Sequence, residues 1–233
     1  ELLLKDLEIV SRRKEKEHKL AKGGEPSAVQ LTARLERWHD ALSAGTPIRR
    51  LGLSRDEDPK TFGIDLLSAK PVLFIANAAE GAGEDDPLVR PVKELADKRG
   101  ARLVILYGQL EAELSTLPTE DRAEFMKEAG LTESGLVRLT KTAYDLLELI
   151  TFFTAGEEEA RAWPLRKGTK AAEAAGKIHS DMERGFIRAE VYHYDELIAC
   201  GTVAGVREKG LFRLEGRDYV IQEGDVVYFR FNV

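Results

Sequence analysis

Asn77 and Glu80 stand just after an apolar run, Pro71-Val72-Leu73-Phe74-Ile75-Ala76. Unbroken apolar runs of this length mark strands of parallel sheets, which are buried on both faces. Ligands of open α/β sheets sit just beyond the carboxyl ends of such strands. A primary amide at that place has the chemistry to read adenine, accepting from the exocyclic N6 amine while donating to N7. A carboxylate three residues on suits the N1–H and N2 amine of guanine, whereas adenine offers a lone pair at N1. Glu80 is therefore expected outside the base-reading role, either ordering its own loop or solvated. By itself the spacing is also that of an ordinary strand-to-helix turn.

Other groupings carry less chemistry. His179, Asp181 and Glu183 alternate across a turn with no Cys or second His nearby, and that spacing does not converge on a metal. Arg166-Lys167-Gly168-Thr169 lacks the glycine spacing of a phosphate cradle, and no Gly-x-x-x-x-Gly-Lys-[Ser/Thr] occurs in the chain. Lys167, Lys170, Arg184 and Arg188 suit RNA or protein contacts, or form a mixed-sign solvated face with Glu157, Glu158 and Glu159. Trp163 and Tyr194 are expected in the core.

The elements that must position these residues follow from periodicity. Leu3, Leu7 and Val10, then Leu31, Leu35, Trp38 and Leu42, predict an antiparallel helical hairpin over residues 1–45. Its tip is Lys22-Gly23-Gly24-Glu25-Pro26-Ser27, with Ser27 as the expected N-cap. The seam turns polar towards that tip (Lys14, Glu17), and Arg12, Arg13, Lys14, Lys16, Lys19 and Lys22 make the arm cationic. The hairpin either braces the fold or touches an anionic partner. Residues 46–69 read as a connector. Strands are expected over 72–76 and 102–106, and helices over 87–99 and 132–148, the last burying Leu136, Leu139, Ala143 and Leu146 or Leu147. Two strands make no stable doubly wound sheet, so further strands are expected from outside the chain. Beyond Leu149 the pattern shifts to short strands and glycine turns, with a helix over 170–178. Val227, Phe229, Phe231 and Val233 alternate with polar residues, as in a half-buried strand.

The bulk numbers exclude several classes. A net charge of −6 over 233 residues argues against sequence-independent DNA binding. Cys200 is the only cysteine, which forbids an intrachain disulfide and suits a reducing compartment. No apolar run reaches the roughly 18 residues of a membrane span. The chain starts at Glu1 in helical pattern without Met, as expected for a portion of a larger protein.

Several long segments resemble the YchF-type, Obg-like ATPases of the translation-factor class. They are Asp145-Leu146-Leu147-Glu148-Leu149-Ile150-Thr151-Phe152-Phe153-Thr154-Ala155-Gly156-Glu157, Arg161-Ala162-Trp163, the stretch from Ala174 to Val191, and the ending from Gly224 to Val233. The resemblance implies an α/β fold: part of a P-loop G-domain (46–148) carrying the hairpin (1–45), then a TGS domain of ubiquitin-like β-grasp form (149–233). It implies ATP and Mg²⁺ as cofactors and cytoplasmic work with the ribosome, as a large subunit or 70S-type particle. It implies no membrane and no sequence-specific DNA. The family's guanine-reading relatives carry Asn-Lys-x-Asp; here Ala78 and Glu80 replace the Lys and the Asp, which points to adenine. By the same resemblance Ala78 touches the base, and Gly108 and Gln109 belong to the loop that closes over it. Family members usually have Ser where Tyr107 stands.

The nucleotide-binding residues expected are thus Asn77, Ala78, Glu80, Gly108 and Gln109, with no catalytic residue and no metal ligand in the chain. The leading reading is an ATPase that regulates translation or a stress response; this chain alone, without a phosphate loop, is expected not to hydrolyse ATP. The alternative is a non-catalytic ribosome- or RNA-binding adaptor working through the hairpin and the last domain. A GTPase is disfavoured by Ala78 and Glu80.

Overall fold

The computed structural model describes residues 1–156 and 159–232, Arg55 by its backbone alone. Glu157, Glu158 and Val233, used in the sequence reading, lie outside the described residues. The chain divides into two compact units, residues 1–74 with 96–101, and residues 75–95 with 102–233.

In the first unit, α1 (Leu2–Lys22) and α2 (Pro26–Ser43) pack along each other and are joined by a turn at Gly23-Gly24-Glu25. The apolar seam read from the sequence is the seam that packs: Val10, Leu31, Leu35, Trp38 and Leu42 are buried together. The tip differs from expectation. α2 begins at Pro26 behind Glu25, and Ser27 lies inside the first turn, its hydroxyl donating to Glu25 at 3.1 Å. Proline at the first helical position needs no N–H and has its φ preset, which fixes the start two residues early. Glu17, expected solvated, is 6% exposed and receives the Arg13 guanidinium at 2.9 Å. The connector is no loose linker. Ile48, Ile64 and Leu66 enter the same core from short 3₁₀ turns. Buried Asp6 on α1 holds it there, accepting the backbone N–H groups of Leu67 at 3.0 Å and Ser68 at 2.6 Å.

The two units divide β1 (Leu73–Asn77) and α3 (Arg90–Arg99) along their lengths. β1 forms a two-stranded sheet with β2 (Arg102–Leu106). Burial of β1 was expected, yet Ile75 is 50% exposed, because two strands leave faces uncovered. α3 starts three residues later than the sequence suggested, after turns at Asp86–Val89. Two helices were missed, α4 (Gly108–Thr116) and α5 (Thr119–Glu128). α6 (Gly135–Leu146) is shorter than the predicted 132–148, since Ser134 caps it by accepting the Val137 N–H. Leu136 and Leu147, assigned to its buried stripe, are 64% and 45% exposed.

After α6 the chain turns at Glu148, a non-glycine residue at φ 52°, whose carbonyl accepts the Lys167 N–H at 2.8 Å. The remaining elements are β3 (Leu149–Ala155), β4 (Ala160–Arg166), α7 (Ala171–Ile178), α8 (Ser180–Arg184), β5 (Phe186–His193), α9 (Tyr194–Cys200), α10 (Val203–Glu208), β6 (Arg213–Glu215) and β7 (Asp225–Phe231). They build a mixed sheet of order β4-β3-β7-β5-β6, in which β3 and β7 run parallel and the other neighbours antiparallel. Phe152, Leu165, Val191, Val227 and Phe229 meet the alanines of α7 on one face. Tyr192 and Val226 meet Val206 on the other. Trp163 packs against the first core, its indole N–H donating to Thr154 at 3.0 Å, but Tyr194 is 47% exposed rather than buried.

Two charged groups lock this sheet. Glu190, 6% exposed, accepts the Arg230 guanidinium at 2.9 Å, which holds its carboxyl below the usual range. Asp225 is wholly buried and accepts from Tyr219 Oη (2.8 Å), the Gln222 N–H (2.9 Å) and Arg213 (3.2 Å). Burial, then the bond to Asp225, pushes the Tyr219 hydroxyl up to about 12.

Asp6→Ala should cost about 2–4 kcal/mol in chemical denaturation, because two N–H donors lose their acceptor. Asp6→Asn, which keeps one acceptor oxygen, should cost less. Tyr219 retains its proton in the folded chain while an unfolded tyrosine loses it. Its contribution is therefore complete below pH 10 and lost as pH rises towards about 12. Absorbance titration should show Tyr219 titrating late, beside Tyr192, which burial also raises, and Asp225→Ala should move Tyr219 part of the way back, since its burial remains.

Candidate functional site

β1 ends at Asn77, and the next backbone N–H, of Ala78, donates to the Leu106 carbonyl at the end of β2 at 2.8 Å. The two strands thus finish side by side. Across this edge the Asn77 Oδ1 accepts the Gly108 N–H at 3.0 Å. Gly108 is the first residue of α4, so this side chain takes up one of the donors a helix leaves unsatisfied at its N-terminus. A Cβ on Gly108 would lie 2.8 Å from Asn77 Oδ1, closer than side chains tolerate. Glycine is needed here for the approach.

Gly108 and Gln109 were expected in a closing loop; they form the first turn of a helix instead. Leu110 and Leu114 on its inner face are buried, and that spacing of four was the signal available in the sequence. Glu111 of α4 accepts the Gly135 N–H, and a Cβ on Gly135 would strike Leu106 Cδ2 at 2.4 Å. Arg138 of α6 donates to the Ile105 carbonyl at 3.2 Å. These contacts press α4 and α6 against β2 and hold the edge in place.

Asn77, Ala78, Glu80, Tyr107, Gln109 and Glu113 line a cleft of about 400 Å³, within the range of small-molecule sites. Four of the five residues singled out from the sequence line it, and the fifth, Gly108, binds Asn77 directly. The Asn77 amide is oriented by the backbone, leaving its Nδ2 donors and one Oδ1 lone pair for a ligand. Glu80 is exposed at the rim and has no hydrogen-bond or ion-pair partner among the described residues. It does not order its loop. That work falls to Tyr107, whose hydroxyl donates to the Ala82 carbonyl at 2.9 Å. Glu113, not expected from the sequence, accepts from Gln109 Nε2 at 3.2 Å, one helical turn away on α4.

The remaining candidates do not form a second centre. The His179 ring caps α8 by accepting the Asp181 N–H, and the Asp181 carboxylate is engaged by Arg184. Among the described residues no group of three or more His, Cys, Asp or Glu is gathered to hold a metal ion. Lys170 pairs with Asp218 at 2.7 Å, while Arg188 lies 3.4 Å from Glu190. No helix among the described residues is long and apolar enough to cross a membrane.

The family described as YchF-GTPase_C, a protein of unknown function (DUF933), matches residues 149–232. A Bacillus subtilis protein named ribosome-binding ATPase YchF is 42% identical over 236 residues, covering 100% of this chain and 64% of the relative. Obg-like ATPase 1 of Rattus norvegicus is 35% identical, covering 100% of this chain and 60% of its own length. The solved structure of the Schizosaccharomyces pombe YchF GTPase superposes with a TM-score of 0.82 at 31% identity, over 98% of this chain and 63% of that one. The chain therefore spans less than two thirds of these relatives. Along that span it is similar to the YchF-type, Obg-like ATPases, and residues 149–232 carry the family's YchF-GTPase_C part.

Proposed function

We propose that this chain carries the adenine-reading part and the ribosome-directed part of an ATPase. The observation that carries the first half is the backbone-fixed amide of Asn77 at the mouth of a polar cleft. In this reading Nδ2 donates to adenine N7 and the remaining Oδ1 lone pair accepts from the N6 amine. Guanine presents a carbonyl in place of that amine, which would set acceptor against acceptor. Ala78 lies along the base, and Gln109 and Glu113 close one wall, with Glu80 at the solvent side. A site built for particular hydrogen bonds rejects a base lacking them by a large factor.

Hydrolysis in this class depends on a phosphate loop, its Lys and Mg²⁺, which position and neutralise the phosphates. The 233 residues contain no such loop, and the described residues gather no metal-ligand group, so no step of phosphate chemistry is assigned to a residue here. ATP held by the base alone should bind weakly. The domain division that fits this reading is a hairpin over 1–45, a base-reading part over 46–148 and a TGS-type β-grasp module over 149–233. The names of relatives supply the ribosome as partner, and the protein would regulate translation in the cytoplasm.

Titration of the chain with a fluorescent ATP analogue, competed with ATP and GTP, tests the base assignment. ATP should compete better than GTP. Asn77→Ala should weaken ATP by about tenfold, the worth of one good hydrogen bond. Gly108→Ala should weaken it comparably by displacing the amide. Equal competition by GTP, or an unaffected Asn77→Ala variant, would refute the assignment. If nucleotide fails to bind while the chain still sediments with ribosomes, the adaptor reading replaces it.

A further inference from the structure

Within the first unit, Arg49 lines a second cleft of about 270 Å³, together with Ile48, Leu53, Ser54, Asp58 and Pro59. Its guanidinium is half-buried, and its one hydrogen bond among the described residues goes to the Ser68 carbonyl at 3.3 Å. Arg50 and Arg99 stand close enough to act on it as like charges. Arg50 donates to the Lys98 carbonyl at 2.9 Å, and Arg99 has no hydrogen-bond or ion-pair partner among the described residues. Among the described residues no carboxylate forms an ion pair with any of the three. The one carboxylate lining the cleft, Asp58, is turned to the Lys60 N–H at 3.0 Å and caps a short turn. Glu57 is engaged by Arg37 at 3.3 Å.

Arg49 is the cationic side chain lining the cleft, and Arg50 and Arg99 lie near enough to act on it as like charges. Burial, then Arg50 and Arg99, push the Arg49 group below the ordinary arginine value. Yet the position is not left to chance. Ser68 is 3% exposed; its N–H donates to Asp6, its hydroxyl accepts the Ile48 N–H at 3.4 Å, and its carbonyl accepts from Arg49. One guanidinium N–H is thus tied to a carbonyl that a buried network holds, and four of the five N–H donors have no partner among the described residues. Guanidinium forks match the tetrahedral oxygens of phosphate, and fixed donors lose little freedom on binding it.

We propose that the cleft at Arg49, with Arg50 and Arg99, is a phosphate-binding site. Its ligand is a phosphate group, borne either by the backbone of single-stranded RNA or by a small phosphomonoester. The site lies in the other unit from Asn77 and does not depend on the adenine reading.

The test uses the full chain labelled with ¹⁵N, following arginine Nε–Hε resonances. Inorganic phosphate and an eight-residue oligouridylate are titrated separately, each against sodium chloride at matched ionic strength. Either probe should shift Arg49 saturably. Tighter binding of the oligonucleotide identifies an RNA backbone, and tighter binding of inorganic phosphate identifies a phosphomonoester. Arg49→Gln should weaken the effective probe by about tenfold or more, the loss of a charge-assisted bond. Arg99→Gln, an exposed change, should raise the melting temperature in sodium chloride by relieving like-charge crowding, and gain less from the probe. The proposal fails if neither probe moves Arg49 beyond the chloride control. It fails equally if Arg99→Gln melts lower than the parent and gains as much. Asn77→Ala should leave the probe-induced Arg49 shifts unchanged, which separates this site from the nucleotide cleft.

Discussion

One hydrogen bond, from the Gly108 N–H to Asn77 Oδ1, joins the exit of β1 to the start of α4. Without it the amide would rotate freely, and a free amide chooses no base. With it, a strand end, a helix N-terminus and a ligand-facing side chain become one rigid object. The glycine is part of the same constraint, because any side chain there would occupy the amide's place. The Tyr107 hydroxyl performs a parallel service on the opposite loop by gripping the Ala82 carbonyl. Asn77 and Tyr107 thus line the cleft with polar groups that also tie backbone together.

The same device recurs through the chain. Carboxylates that a sequence reading would offer as acids or metal ligands are spent on backbone N–H groups. Asp6 receives two, Glu111 receives Gly135, Glu196 receives His193, and Glu223 receives Thr151. A buried carboxylate with backbone donors is a satisfied polar group. These residues are scaffold, and this leaves Glu80 and Glu113 as the acids that line the cleft.

Much of the site was legible because it rests on local signals. An apolar run followed by Asn, and a glycine after the next run, each act within a few residues. The hairpin seam and the alternating last strand were legible for the same reason. Non-local contacts were not. Nothing near Leu136 announces that it faces solvent, since its helical stripe is genuine and only the missing neighbour decides its burial. The connector hid its role because Ile48, Ile64 and Leu66 follow no period, and the backbone beside them, at Leu67 and Ser68, is held by Asp6, some sixty positions away. α4 was overlooked because glycine and a preceding strand suggested a turn, while the buried pair Leu110 and Leu114 argued for a helix. Tertiary packing overrode the weaker local preference.

Glu148, between α6 and β3, has consequences for how the chain passes from helix to sheet. Its left-handed backbone is uncomfortable for a side chain with a Cβ and persists because the carbonyl is caught by Lys167. A residue pinned in that basin allows one heading to the polypeptide that follows. The passage there is a set corner and not a swivel, and the first strand of the mixed sheet leaves α6 along that one direction.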